Sequence, residues 1–259
     1  MFIHPILKSF RSLHKHPSPQ PDPSNLPNSS LSPITTISPT HANIPPSTMS
    51  TPTPYKQIRA LHTPRTITLY QAYNHPIASA AVSAQSLTAS PLFKTTRMTW
   101  IKPSWAWMLY RSGYSFKDAN QSRILALTMS HEDFLWLLSQ GVVSHRSPEE
   151  KGDQGGKKLG GVRIQWDPER DVKMERLGYR SIQIGIPGGE VCERWVGMVK
   201  KIEDVTDKAR ELKRVIDERP EVTVGVLKEM GLVPEEKVFE IEDEEVRKRL
   251  GMDWPVEPE

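Results

Sequence analysis

The sequence predicts one α+β domain, with a mixed, mostly antiparallel sheet flanked by helices, behind a disordered N-terminal tail. Two observations indicate this class. Strand and helix patterns alternate along residues 55–219, but without the regular strand, helix, strand order of a doubly wound sheet. In addition, no GxGxxG follows the first strand, so the sequence does not indicate a dinucleotide-binding fold of that type.

The tail is indicated by composition. The first 48 residues hold ten of the 23 prolines and a single acidic residue, Asp22. Such a stretch buries too little apolar surface to offset chain entropy, so we expect residues 1–54 to be disordered. Residues 1–16 place apolar side chains at helical spacing opposite three basic ones, as in a mitochondrial transit peptide. The expected location is cytoplasmic, with a mitochondrial location as the alternative if the tail from Met1 is expressed rather than a start at Met49.

The distribution of charge is more informative than the total of +3. Residues 49–130 carry nine lysines or arginines against one acid, Asp118, whereas residues 131–259 are net acidic. Part of this asymmetry is expected to be internal pairing, but unpaired positive charge is a site for phosphate or another anion.

The first elements follow from apolar alternation and a helix cap. In RTITLYQAY, Ile67 and Leu69 alternate with polar neighbours, which predicts a strand. Asn74 can cap a helix whose early Pro76 suits the first turn. A loop then leads to a second strand over residues 97–101.

The centre of the chain predicts a helix and then a buried strand. The helix opens at Pro103 or Ser104 and runs through WAWMLYR, and Gly113 is placed to end it. RILALTM, over residues 123–129, is almost continuously apolar, as a central strand buried on both faces would be.

The next segment predicts a capped helix and a loop. Ser130 and Asp133 form a capping pattern for the helix HEDFLWLLSQ, which Gly141 is expected to end. Residues 144–161 are rich in Gly, Lys and Glu and carry no periodicity, so we expect a mobile surface loop.

The last elements are a hairpin and several helices. VRIQW, DPERD and YRSIQIGI predict strand, turn and strand, and Gly188 and Gly189 lead into the helix EVCERWVGMV. Thr206 is the expected cap of the charged helix TDKARELKRVIDE. Residues 220–259 predict an acidic C-terminal extension with one or two short helices.

Several kinds of chemistry find little support. GDQGGKK fails as a phosphate loop because three residues, not four, separate Gly152 and Gly156 and no strand precedes it. The histidines show no metal-ligand spacing, and DPERD is either a weak divalent-cation site or a solvated turn. The single cysteine, Cys192, indicates a reducing compartment, and no apolar run is long enough to cross a bilayer. Neither a metal nor a membrane partner is expected.

Aromatic and basic side chains interleave in the segment RMTWIKPSWAWMLYRSGY. On the predicted helix, Trp107, Tyr110 and Arg111 stand three and four residues apart and share a face, whereas Trp105 points elsewhere. Aromatic rings offer stacking surfaces for bases, and guanidinium groups bind phosphates through two hydrogen bonds. The alternative for each ring is ordinary core packing.

Polar side chains on separate predicted strands indicate a cleft, because such strands should be mostly core. These side chains occur in LYQAY, VRIQW and YRSIQIGI. No catalytic residue is assigned. The candidate ligand-binding residues are Tyr70, Gln71, Arg97, Lys102, Trp107, Tyr110, Arg111, Arg163 and Gln183.

At these residues the sequence resembles the family named domain of unknown function 4291. The likeness rests on ITLYQAY, RMTWIKPSWAWMLYRSGY with the following RILAL, VRIQWDPERD and YRSIQIGI, and spans about residues 59–210. The family implies no activity.

The order of elements also resembles folds of the ADP-ribosyltransferase type, which bind NAD in a split sheet. That resemblance implies that Tyr70 opens the site, that residues 100–110 border the nicotinamide, and that Gln183 occupies the place of a late-strand polar residue. Transferase chemistry usually stabilises its developing positive charge with a carboxylate, and Gln183 is not one.

The expected function is therefore a pocket for a phosphate-bearing, nucleotide-like ligand, with NAD as the candidate cofactor. The protein would be an active or degenerate ADP-ribosyltransferase-like enzyme. The alternative is a non-catalytic module that binds RNA or protein through the basic aromatic face.

Overall fold

The computed structural model describes residues 53–144 and 161–252 of the protein. The predicted tail up to residue 52 and almost all of the predicted loop over residues 144–161 lie outside the described residues. Within them the strands are Arg59–Ala60 (β1), Thr66–Tyr73 (β2), Thr99–Ile101 (β3), Arg123–Ser130 (β4), Gly141–Val143 (β5), Val162–Arg170 (β6), Arg176–Ile186 (β7), Lys201–Asp204 (β8) and Lys237–Val238 (β9). The helices are His75–Ala84 (α1), Trp105–Ser112 (α2), His131–Ser139 (α3), Glu190–Met198 (α4), Thr206–Glu218 (α5), Val224–Glu229 (α6) and Glu244–Leu250 (α7).

The strands form three sheets. One has the order β2, β4, β8, a second has the order β3, β7, β6, β5, and β1 pairs with β9. All strand pairs are antiparallel except β5 with β6. The predicted α+β class with mostly antiparallel pairing is confirmed, and β4 is the central strand that its apolar run predicts. The single sheet expected from the sequence is instead divided.

One isolated backbone bridge joins the two larger sheets. The amide of Tyr70 in β2 donates to the carbonyl of Lys102, just after β3, at 2.7 Å, and the amide of Lys102 donates back at 3.1 Å. This bridge is isolated, because β2 continues along β4 while β3 continues along β7. The sheets therefore part at this point, which leaves space between them.

The four-stranded sheet has one apolar and one polar face. Side chains alternate along a strand, so residues paired across strands share a face. Ile101, Ile164 and Ile184 pair with one another and are at most 1% exposed, in the main core. The neighbouring pair, Gln165 and Gln183, lies on the opposite face. That polar face is turned to the gap between the sheets.

The predicted helix starts are confirmed by their hydrogen bonds. The side chains of Asn74, Ser104 and Ser130 accept from amides three residues later, at 3.0 to 3.1 Å. These caps satisfy amides that would otherwise have no partner in the first turn. Gly113 adopts a left-handed conformation (φ 56°) at the end of α2, as predicted.

Three local predictions are wrong. DPERD is not the hairpin turn, because β6 continues to Arg170 through a register shift near Pro168, and the Asp171 carboxylate organises the turn that follows. Thr206 does not cap α5, because its hydroxyl accepts from the amide of Ile124 in β4. The helix before Gly141 ends at Ser139, and Gly141 begins β5.

The C-terminal residues contribute to the main core. Phe239, Ile241 and Leu250 are at most 3% exposed and pack in the cluster that includes Ile164 and Ile184. A second cluster, around Trp105 and Leu212, fills the space between α2, α5 and the three-stranded sheet. No helix in the described part of the chain is long and apolar enough to span a membrane.

Candidate functional site

A cavity of about 760 Å³ lies where the two larger sheets part. It is bordered by β2, β3, α2, β6 and β7 and by the turn after α2. A volume of this size is typical of small-molecule and cofactor sites. The cavity is therefore a candidate for a ligand site.

Helix α2 forms one wall because its start is fixed at the sheet junction. Ser104 caps the helix, so Trp107, Tyr110 and Arg111 turn one shared face to the cavity. Trp105 points away into the second core cluster, where its ring centroid lies 5.1 Å from that of Tyr70. As predicted, Trp107, Tyr110 and Arg111 share one face of the helix and Trp105 points in another direction.

Lys102 is the most buried cation of the cavity. It is 1% exposed, and its Nζ lies 3.3 Å from Asp167 Oδ2 and 4.0 Å from the centre of the Trp107 ring. Nζ also donates to the carbonyl of Ser181 at 3.4 Å. Burial lowers the pKa of Lys102 to about 8, although the carboxylates of Asp167 and Glu169 act in the opposite direction.

The remaining cations of the cavity form no direct ion pair with a described carboxylate, although the pKa of Asp118 is lowered by its hydrogen bond from the Asn120 amide and, to a lesser extent, by Arg111. Arg97 and Arg111 form no ion pair with any described residue. Arg170 stacks on the Tyr110 ring, with 4.2 Å between guanidinium carbon and ring centre, and donates to the carbonyl of Met174. The cavity lining thus has four cations and one carboxylate, Asp167. This imbalance favours an anionic ligand.

Some polar atoms around the cavity lack hydrogen-bond partners. They are Gln71 Oε1, Arg170 Nε and Ser181 Oγ, all of them buried. Gln71 Nε2 donates to Thr99 Oγ1 at 3.0 Å, which holds the amide in place. Buried polar groups without partners are costly, and two of these three residues, Gln71 and Arg170, line the cavity.

The structure brings most of the predicted site residues together. Arg163 is the exception: it is exposed and does not line the cavity. It faces Gly185 across the β6–β7 pair, and the ring of Trp100 lies against that glycine, where a Cβ would come within 2.7 Å of the ring. The eight that line the cavity are Tyr70, Gln71, Arg97, Lys102, Trp107, Tyr110, Arg111 and Gln183. That they bind a ligand stays a prediction.

Sequence reasoning did not include two charged residues of the cavity. Asp167 and Arg170 were assigned to a turn, whereas they lie on β6 and line the cavity. Alternation from Gln165 would have placed Asp167 on the same face, since the two are two residues apart. No local signal predicts Asn120 and Gln121, which line the cavity from the turn after α2.

Two carboxylates meet at the start of α2. Glu169, which is 5% exposed, accepts from the Ser104 hydroxyl at 2.9 Å. Glu236, which is half-buried, accepts from the amide of Trp105 at 2.6 Å. Burial raises the pKa of Glu236 to about 8, the Trp105 amide lowers it, and Glu169 raises it further.

Glu236 should therefore make the protein less stable as the pH rises from about 4.5 to about 8. A carboxyl whose pKa is higher in the folded than in the unfolded chain favours folding while it is protonated, and this contribution is lost as pH passes the folded pKa. We expect Glu236→Gln to match the unmodified protein at pH 5 and to exceed its unfolding free energy by on the order of 1–3 kcal/mol at pH 9. Urea titrations at both values test this, and an equal difference at both would contradict it.

A second cavity of about 770 Å³ lies between α3 and the segment that leads into α7. Its lining includes His62, His131, Trp136 and Phe239, and it shares no residue with the first cavity. None of the predicted ligand-binding residues lies there.

The described residues lack the usual arrangement of metal ligands. No group of three or more His, Cys, Asp or Glu side chains is arranged there to hold an ion. DPERD forms no such group, since Asp167 is paired with Lys102 and Glu169 bonds Ser104. Cys192 is a buried free thiol whose pKa is raised by burial.

Comparison with protein families identifies the part of the chain that lines the first cavity. A family model described as a domain of unknown function, DUF4291, matches residues 57–239. These residues include both walls of the first cavity and the Glu236 contact. No curated protein matches the chain.

Proposed function

The chain belongs to the DUF4291 family, and from the site itself we propose that it binds a phosphate-bearing, nucleotide-like ligand in the cavity between its two larger sheets. The observation that carries the proposal is that two arginines outside any ion pair, Arg97 and Arg111, and two aromatic side chains, Trp107 and Tyr110, line one cavity. Each group alone is ordinary, but together they match a nucleotide, because the arginines can bind its phosphate and the aromatic rings can stack on its base.

The phosphate half is supported by charge. A guanidinium group binds phosphate through two parallel hydrogen bonds, and this interaction strengthens where water is excluded. Arg111 is exposed at the mouth, whereas Lys102 lies deep in the lining. Phosphate oxygens bound between them would be attracted by several cations and repelled by one carboxylate, that of Asp167.

The base half is supported by rings and amides. Trp107 has Lys102 over its ring, and Tyr110 has Arg170 over its ring while 41% of the residue is exposed. A cation on a ring leaves the opposite face for stacking. The amides of Gln71, Gln165 and Gln183 line the same cavity and can donate to and accept from the edge of a base.

A specific observation also supports the ADP-ribosyltransferase-like form of the proposal. Cleavage of the bond between nicotinamide and ribose needs a carboxylate near the developing positive charge, and Gln183 cannot supply it. Asp167 can supply this carboxylate. It lies on β6, next to the strand that carries Gln183, it lines the cavity, and its side chain is 30% exposed. In this form, NAD is the ligand and Asp167, rather than Gln183, stabilises the ribosyl cation. Nicotinamide leaves with the electron pair of the broken bond, and water or an acceptor hydroxyl adds to the sugar carbon and releases its proton to solvent.

A thermal-shift panel of NAD, ADP-ribose, ATP and adenosine tests the binding. A ligand that binds only the folded protein raises its unfolding free energy by about 2.7 kcal/mol at a hundredfold excess over Kd. We expect stabilisation by the phosphate-bearing ligands but not by adenosine, and a loss of affinity of 10-fold or more in Arg111→Ala, since a hydrogen bond to a charged group contributes about 1.5–3 kcal/mol.

Arg163→Ala is the matched control, because Arg163 is an exposed arginine on the same sheet that does not line the cavity. The cavity is not the site if Arg163→Ala weakens binding as much as Arg111→Ala does. Release of nicotinamide from NAD, lost in Asp167→Asn, would separate an enzyme from a binding protein.

A further inference from the structure

We propose that the nucleotide in the cavity is the end of a single-stranded nucleic acid, whose next base stacks on Phe116 outside the cavity. This inference rests on the proposed function, because it extends the same site. It names the substrate class as a polynucleotide rather than a free mononucleotide.

The proposal begins with the backbone of the turn that follows α2. Three successive residues, Gly113, Tyr114 and Ser115, have φ values of 56°, 53° and 76°. Left-handed conformations cost non-glycine residues on the order of 1–2 kcal/mol each. A turn with two such residues persists only where its surroundings hold it in place.

The surroundings of this turn do hold it. The Tyr114 hydroxyl donates to the carbonyl of Val172 at 2.5 Å, and Arg210 Nε donates to Ser115 Oγ at 2.8 Å. Both Tyr114 and Ser115 are at most 5% exposed. The turn is therefore a fixed platform that directs the following residue outward.

That following residue is Phe116, and it is 64% exposed. The guanidinium carbon of Arg210 lies 5.4 Å from the centre of its ring. A ring supported by a cation on one side and open to solvent is arranged as a stacking surface for a base.

The turn connects two parts of the cavity lining. Along the chain, Phe116 lies five residues after Arg111 and four before Asn120, both of which line the cavity, so its ring is within a few residues of the site. Lys117 follows it and is exposed, so a phosphate that links a base in the cavity to a base on Phe116 has Arg111 and Lys117 available. The neighbouring acid, Asp118, accepts hydrogen bonds from Asn120 and Gln121 within the turn.

A nucleic acid fits this surface better than a protein does. Among the described residues 110–121, the exposed large apolar side chains are Tyr110 and Phe116. A stable protein interface usually buries about 800 Å² on each partner around an apolar centre, and two rings flanked by basic side chains do not provide that. Single-stranded nucleic acids are bound by this combination of separate rings and cations.

The experiment compares affinities of a 5′-phosphorylated mononucleotide and of ribo- and deoxyribo-oligonucleotides of two to five residues, by fluorescence anisotropy at fixed salt. We expect the dinucleotide and longer strands to bind about 5- to 100-fold more tightly than the mononucleotide, as one added base stack provides. Phe116→Ala should remove this gain and leave mononucleotide affinity unchanged, while Phe116→Trp should retain it.

Leu92→Ala is the control, because Leu92 is a 55% exposed apolar side chain that does not line the cavity. Equal affinity for mononucleotide and oligonucleotides would overturn the inference and leave the proposed function standing. Oligonucleotide binding that is unchanged by Phe116→Ala, or capture of peptides but not of oligonucleotides, would also overturn it. Failure of every nucleotide to bind would remove the proposed function and this inference together.

Discussion

Replacement of Trp105 by alanine should lower the unfolding free energy by about 3–5 kcal/mol, because it empties a large buried volume. Trp105 is 2% exposed, packs against Tyr70, and donates from its indole nitrogen to the carbonyl of Leu232 at 3.2 Å. In a domain of this size the melting temperature should fall by roughly 6–20 °C. Differential scanning calorimetry of the variant measures both quantities.

The matched control is Trp107→Ala, two residues along the same helix. Trp107 is half-buried and lines the cavity, so its removal leaves α2 packed through Trp105 and Leu109. We expect a stability loss of about 1 kcal/mol or less for Trp107→Ala, as for changes away from the core, together with lost ligand affinity. If Trp107→Ala lowers the unfolding free energy more than Trp105→Ala does, Trp107 rather than Trp105 is the core residue of this helix.

Replacement of Lys102 by methionine should stabilise the protein at pH 7 by about 1–3 kcal/mol and weaken ligand binding. The pKa of Lys102 lies near 8 even with Asp167 beside it, so the fold disfavours this charge. Methionine fills a similar volume without a charge to desolvate. Asp167 keeps contact with solvent, since its side chain is 30% exposed, so the loss of its partner is the smaller effect.

The pH dependence gives the same variant a second test. A lysine whose folded pKa is below its unfolded value destabilises the fold while both states are protonated, and stability recovers as pH rises from about 8 towards 10.5. The advantage of Lys102→Met should therefore shrink across that range in chemical denaturation. If the variant is instead less stable by about 3–5 kcal/mol at pH 7, Lys102 belongs to a structural ion pair whose loss leaves Asp167 uncompensated.

The cost of burying Lys102 indicates why this residue is present. Among the described residues, most of the other ion pairs lie on exposed helix faces, such as Lys213 with Asp217, where an ion pair contributes little. Lys102 is held in the cavity lining, where its charge is expensive. We interpret it as part of the binding chemistry rather than of the fold.

The elements that the sequence predicted well are those fixed by local chemistry. Ser104 and Gly113 delimit α2 because a capping oxygen and a left-handed glycine act within one turn of the helix. The spacing of Trp107, Tyr110 and Arg111 placed them on one face because a helix repeats every 3.6 residues. Eight of the nine predicted site residues line one cavity, and the helix period accounts for these three of them.

The elements that were predicted wrongly depend on distant partners. Thr206 has the residue type of a cap, but its hydroxyl bonds Ile124, 82 residues away. Pro168 and Asp167 resemble a turn, but pairing with β7 keeps the chain extended, and the turn forms only at Asp171. A short sequence pattern carries no information about such partners.

The sequence by itself determined the α+β class, the two ends of α2, and the basic aromatic character of one face, because each depends on residues within a few positions of one another. The tertiary structure alone decided that β2 and β3 part after the single bridge between Tyr70 and Lys102. It also placed Asp167 beside Lys102, 65 residues away, and the Glu236 carboxylate on the start of α2. Pairing between strands that are far apart in the sequence sets these distances. The same pairing places the basic aromatic segment of residues 97–114 along one wall of the cavity.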